Sequence, residues 1–163
     1  MLRDFRSEDA PALARYADNY KIWANLRDAF PRPYLLEDAR VFIARVTAEQ
    51  PATVFAIADG NEAIGSIGLM PGRDVHRLSA ELGYWLAEPF WGRGIMTLAV
   101  RAMVDYAFTE LKLQRVFAEP FTGNPASSRV LVKAGFRLEG VMRAGAVKEG
   151  KILDQALFAV VNE

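Results

Sequence analysis

The sequence predicts an α/β (α+β) fold: one mixed, twisted, mostly antiparallel sheet of about seven strands with helices on both faces. Three observations carry this. Apolar residues recur at helical intervals up to Pro51 and then alternate at period two. A long amphipathic pattern, IMTLAVRAMVDYAFTEL, lies between two β segments, LSAELGYWLA and RVFAEPF, so those segments are expected as parallel neighbours joined by a crossover helix. The 163 residues suffice for one domain, 1–163, with a real core and little room for two.

The elements follow in order. LRDF is a short first strand. SEDAPALARYAD opens with Ser7 as N-cap and acids in the first turn, which predicts a helix. YKIWANLRDAF is a second helical piece, stopped by Pro31 and Pro33. LEDARVFIARVTAEQ spaces Ala39, Phe42, Ile43 and Val46 on one helical face. TVFAIAD and AIGSIGLM are strands joined by a hairpin turn at Asp59-Gly60. LSAELGYWLA is a third β segment. In the long helix Ile95, Ala99, Ala102, Met103, Tyr106 and Ala107 share a face. RVFAEPF is a short strand. NPASSRVLVKAGF reads as a helix with Asn124 as N-cap, Pro125 at its first position and Gly135 as its stop. The remainder is two strands around a turn near Glu149-Gly150.

Composition excludes several chemistries. There is no cysteine, hence no disulfide, zinc thiolate site or cysteine nucleophile. The single histidine, His76, sits in a polar loop and makes a His-based metal site or a Ser/His/Asp triad hard to build, so no metal is expected. Twenty basic residues balance twenty acidic ones, which disfavours a nucleic-acid partner or an anionic membrane. No apolar run reaches membrane-spanning length and no signal core opens the chain, so the expected location is cytoplasmic.

WGRGIMT places Gly92 and Gly94 where the long helix begins. A helix start offers amide N–H groups without intrahelical partners and the positive end of the dipole. Glycines there let a phosphate approach the backbone, and Arg93 adds a cation. The competing reading is a glycine turn that needs positive φ and nothing more. A Walker loop is absent, and the third glycine of a dinucleotide fingerprint is missing.

AELGYWLAEPFWGRGIMTLAVRAMVDYAF followed by NPASSRVLVKAGFRLEGVMR resembles the GNAT superfamily of acetyl-CoA-dependent N-acetyltransferases, and more narrowly its Rim-type branch, the ribosomal-protein N-terminal acetyltransferases. The coenzyme loop of the family, Gln/Arg-x-x-Gly-x-Gly/Ala, falls on Trp91-Gly92-Arg93-Gly94-Ile95-Met96; Trp91 and Met96 depart from it. A second block, Asn-x-x-Ser then Lys-x-Gly-Phe, is matched by Asn124, Ser127, Lys133, Gly135 and Phe136. DAFPRPYLLEDA looks like the acceptor-side loop of the branch.

The resemblance implies a GNAT-like domain whose parallel strands splay apart around the pantetheine arm. It implies coenzyme contacts from Trp85, Leu86, Ala87, Trp91, Gly92, Arg93, Gly94, Ile95, Met96, Thr97, Asn124, Ser127, Ser128 and Lys133. Trp23 and Tyr34 are candidates for the acceptor mouth, with core packing as the plainer reading. Glu81 resembles the strand glutamate that serves some members as general base; a surface or ion-paired glutamate is the alternative. Leu131 stands where many members carry a tyrosine that serves as the acid; Ser127 resembles the serine of the Rim-type branch and is the alternative acid, a helix-surface serine being the competing reading, and Ala146 stands where some Rim-type members carry an acid. Lys148 and Lys151 read most simply as solvated turn residues.

The expected function is transfer of acetyl from acetyl-CoA to a primary amine, with a peptide α-amine favoured over a small-molecule amine. The alternative is a non-catalytic acyl-CoA-binding or regulatory module on the same fold. Partners are then the coenzyme and an amine acceptor; the sequence leaves the oligomeric state open between a monomer and a homodimer, dimers being common among soluble proteins.

Overall fold

In the computed structural model, which describes residues 1–163, the chain runs β1 (Leu2–Arg3), α1 (Ala10–Ala17), α2 (Tyr20–Trp23), α3 (Leu36–Ala48), β2 (Val54–Asp59), β3 (Glu62–Pro71), β4 (Ser79–Leu86), α4 (Ile95–Thr109), β5 (Arg115–Ala118), α5 (Pro125–Lys133), β6 (Arg137–Lys148) and β7 (Lys151–Val161). The seven strands are ordered β1-β2-β3-β4-β5-β7-β6. β4 and β5 are parallel, as the crossover helix predicts; β1–β2, β2–β3, β5–β7 and β6–β7 are antiparallel. Two compact units emerge: Met1–Gly68 with Tyr84–Ile95, and Leu69–Gly83 with Met96–Glu163.

In the first unit, Leu13, Ile22, Tyr34, Ile43, Val46 and Trp85 form one buried cluster. Ala39, Ile43 and Val46 are the buried face of α3, as their spacing predicts. The entry to α1 differs from the expectation. Ser7 does not cap the helix; it opens a 3-10 turn, Ser7–Asp9, and Asp9 Oδ2 accepts from Arg6 N–H at 2.8 Å. The longer reach of an aspartate from the end of that turn lets it close the turn backwards. The second helical piece shrinks to α2, because Asn19 caps it from Lys21 N–H and the chain then turns towards its prolines.

In the second unit, α4 buries Met96, Ala99, Val100, Met103, Val104 and Ala107. Ala102 is exposed, contrary to the predicted face. The stripe is rotated towards the larger side chains of Val100 and Val104, whose burial removes more apolar area than an alanine methyl. Glu149 and Gly150 turn the β6–β7 hairpin with φ of 50° and 73°. At its tip the pattern inverts: Val147 and Ile152 face each other across the strands and are 62% and 71% exposed, while Lys148 is 4% exposed. Lys148 is therefore not a solvated turn residue, although Lys151 is exposed.

Candidate active site

Trp91–Gly94 joins the 3-10 turn Glu88–Phe90 to α4. Gly92 and Gly94 both adopt φ of 76°, and a Cβ built on either meets nothing within 4 Å. The turn needs glycine for its backbone angles and leaves open space beside the chain, so it can admit a bulky anion to the first amides of α4. Two side chains hold the turn. Trp91 Nε1–H donates to Leu86 O at 2.7 Å. Arg93 Nη2 donates to Pro89 O at 2.9 Å, and its guanidinium lies 5.3 Å from the Phe90 ring centroid. The tryptophan that departs from the family loop thus fastens it to the end of β4.

The neighbouring backbone is partly committed. Ala87 N–H donates to Ile64 O, and Leu86 O already receives the Trp91 indole. Trp85 is 9% exposed and Leu86 7%. Gly65 of β3 lies so close that an added Cβ would meet Trp85 O at 2.4 Å, which explains a glycine in mid-strand.

In the second unit, parallel pairing of β4 with β5 runs through Ser79–Arg115, Ala80–Val116 and Glu81–Phe117 and stops there, while β4 continues to Leu86. Glu81 is half-buried on the last rung, where the ladder opens. Asn124 Oδ1 caps α5 by accepting from Ser127 N–H at 3.1 Å, so its NH2 takes no part in the cap. Ser128 Oγ turns to Asn124 O at 3.5 Å. Ser127 and Ser128 are half-buried, Lys133 is exposed, and Lys133 O accepts from Arg101 Nη2 at 2.5 Å. Leu131, at the tyrosine position, is fully buried. Replacing Asn124 with alanine is expected to destabilise the protein by about 1 kcal/mol through loss of the cap, read as a lower urea midpoint at constant slope.

Sequence reasoning missed the clamp behind Asn124. Gln155 Nε2 donates to Glu119 O at 3.0 Å, Thr122 N–H donates to Asp154 O at 3.0 Å, and Phe121 bridges to Gln155. Asp154 Oδ1 also accepts from Ala144 N–H at 2.8 Å, where Ala144 has φ of 55° in a bulge of β6. The bulge and the loop before α5 are tied to the same two residues of β7. No spacing rule exposes this, because both partners are reached only through the hairpin register.

Of the predicted acceptor residues, Tyr34 is core: it is 6% exposed, with its ring 4.9 Å from that of Phe30, which in turn lies 6.0 Å from Trp85. Burial, aided by the charge of Asp38, pushes its hydroxyl up to about 12, so it stays protonated in the physiological range. Trp23 lines a cavity of about 530 Å³ with Asp18, Arg32 and Pro33. A second cavity of about 320 Å³ is lined by Arg15, Tyr16, Asp18, Asn19, Glu88 and Pro89. Glu88 is held there by Lys21 and Asn19, which keep its carboxyl below the ordinary range.

No helix is long and apolar enough to cross a membrane. A family model described as Acetyltransferase (GNAT) domain matches residues 1–137. The chain is 40% identical over 109 residues to Probable N-acetyltransferase YjcK of Bacillus subtilis (strain 168), a match taking in 67% of this chain and 60% of that protein. The chain spans 60% and 58% of the length of the curated relatives it first matches. Its fold is similar to that of RimJ of Mycobacterium smegmatis, solved with CoA-disulfide, at a TM-score of 0.84 and 26% identity over 98% of this chain and 80% of that one. It is also similar to RimL, a ribosomal L7/L12 alpha-N-protein acetyltransferase solved with coenzyme A, at a TM-score of 0.86 and 25% identity over 98% of this chain and 92% of that one.

Proposed function

The chain belongs to the GNAT acetyltransferase family, and from that premise we propose that it transfers acetyl from acetyl-CoA to a primary amine, with a peptide α-amine as the favoured acceptor. The turn Trp91–Gly94 carries the reading: two glycines at φ of 76° with open space beside them, at the start of a long helix. That cradle fits a diphosphate. In the first unit the amides of Gly92, Arg93, Gly94 and Ile95 would receive it, and Trp85 and Leu86 would hydrogen-bond along the pantetheine arm; Ala87 is already engaged through both its N–H, to Ile64 O, and its carbonyl, which accepts from Phe90 N–H. In the second unit the amides of Met96 and Thr97 and the Asn124 NH2 are the candidate contacts. Ser128 and Lys133 are flanking contacts in this reading. The relatives solved with coenzyme A support it.

Bound acetyl-CoA supplies an acetyl group already activated as a thioester. Glu81 would take a proton from the incoming ammonium, directly or through water, since an α-amine has a reference pKa of about 8 and is mostly protonated at neutral pH. A backbone N–H of β4 beyond its last parallel rung would donate to the acetyl oxygen. Ser127 Oγ would return a proton to the departing sulfur. Trp23 would form part of the acceptor mouth, while Tyr34, buried and protonated, anchors it from behind. The site needs no metal for these roles. In this reading the protein acts in the cytoplasm, where acetyl-CoA is made available.

Thiol release from acetyl-CoA, measured against a panel of amines and amidated peptides, tests the proposal. Turnover with at least one amine is expected. Coenzyme binding without turnover on any acceptor supports a non-catalytic acyl-CoA-binding module instead. Calorimetry tests the cradle. Gly94→Val forces a β-branched residue to φ of 76° and fills the open space, so the affinity for coenzyme A should fall about tenfold or more. Unaltered affinity would place the diphosphate elsewhere.

A further inference from the structure

Transfer chemistry alone leaves the acceptor's identity open, but the cavity of Asp18, Trp23, Arg32 and Pro33 has a chemistry of its own. Tyr20 and Trp23 stand three residues apart on α2, with ring centroids 6.0 Å apart and a tilt of 33°. The Arg32 guanidinium lies 4.7 Å from the Tyr20 centroid and 5.2 Å from that of Trp23. Its contacts within the protein are these rings, so its fork of N–H donors has no protein acceptor.

The loop that carries Arg32 is fixed. Pro31 and Pro33 restrict the backbone on either side. The next residue, Tyr34, is buried, and its N–H donates to Asp18 Oδ1 at 3.1 Å. An arginine ordered before a ligand arrives loses less side-chain freedom on binding. A planar fork with free donors matches a carboxylate in bidentate fashion. Asp18 lines the same cavity and repels a molecule that is anionic throughout, so the match is to a ligand carrying both N–H groups and a carboxylate.

We propose that this cavity recognises the acceptor and that Arg32 selects amines with a carboxylate close by, such as the α-amine of a peptide whose second residue is acidic. The proposal rests on the acetyl-transfer reading above. It goes beyond that reading by assigning a substrate class and the residue that selects it.

The test compares kcat/KM for the amidated peptides Ala-Asp-Ala-Ala and Ala-Asn-Ala-Ala. The intact protein should prefer the acidic peptide by about tenfold or more, the scale of a charge-assisted hydrogen-bonded pair. The preference should shrink towards unity in Arg32→Gln, be restored only in part by Arg32→Lys, which lacks the fork, and reverse in Arg32→Glu against an Ala-Lys-Ala-Ala peptide. A second measurement needs no variant: because Arg32 is exposed, the wild-type preference should decline as salt is raised. Free-acid Ala-Ala against its amide tells whether a terminal carboxylate serves as well as a side-chain one. Equal kcat/KM for acidic and neutral acceptors overturns this proposal and leaves acetyl transfer standing. Absence of thiol release with every acceptor overturns both.

Discussion

Replacing Glu81 with glutamine is expected to lower kcat for acetyl transfer by about a hundredfold or more, while the affinity for coenzyme A stays that of the wild type. The argument is positional. Glu81 is half-buried on the last parallel rung, paired with Phe117, where β4 parts from β5. A strand fixes a side chain better than a loop does, and a base must be aimed at its proton before its basicity matters. Without the carboxylate, the rate should follow the fraction of amine that is already neutral. The pH profile of kcat/KM therefore moves upward, towards the α-amine reference value of about 8. A profile that keeps its position, with kcat undiminished, removes Glu81 from the base role and leaves proximity to carry the rate, an effect that reaches about 7–11 kcal/mol in well-oriented systems. Measuring KM for the amine alongside kcat separates a lost base from a disturbed acceptor mouth.

Local chemistry made much of this fold legible. Asp59-Gly60 and Glu149-Gly150 marked their hairpins because glycine relieves the strain of positive φ there, and Asn124-Pro125 marked α5 because a cap and a missing donor both belong at a helix start. The parallel β4–β5 pair followed from a helix lying between two β segments. Failures arose where long-range geometry decided the outcome. The π contact of Arg32 depends on a loop folding back over α2, and the Trp91 indole reaches Leu86 O only through the intervening 3-10 turn. Lys148 is buried because the β6 register, shifted between Met142 and Ala146, sets which side each residue of the tip faces. The open turn at the start of α4 could be read from two glycines before a helix; the cavity could not, since Arg32 falls in the quoted stretch DAFPRPYLLEDA but Asp18 lies outside it and only the folded chain brings the two together.

Asp9→Ala should destabilise the protein by about 3 kcal/mol, within the range for breaking a buried pair by removing one partner, and lower its melting midpoint by about 10 °C. Asp9 is 4% exposed and takes a bidentate grip from Arg3, Nη1 to Oδ2 and Nη2 to Oδ1, both at 2.7 Å. Arg3 Nη2 also donates to Asn61 O at 2.9 Å, so the carboxylate indirectly fastens β1 to the turn between β2 and β3. Removing it leaves the guanidinium, already without a partner for Nε, desolvated and uncompensated at the start of α1, the helix that leads to Asp18. Burial alone pushes the Asp9 carboxyl up, but hydrogen bonds from Arg3 and Arg6 N–H and the charges of both arginines outweigh it and hold the carboxyl below its ordinary value. A depressed carboxylate contributes stability that is fully present above its unfolded value of about 3.9 and is lost as the pH falls through the lower folded value. The stability gap between wild type and Asp9→Asn, which removes the charge and keeps the shape, should hold steady from neutral pH to about 4 and close below it. A gap that persists undiminished at the acid end would assign the contribution of Asp9 to its hydrogen bonds and packing rather than to its charge.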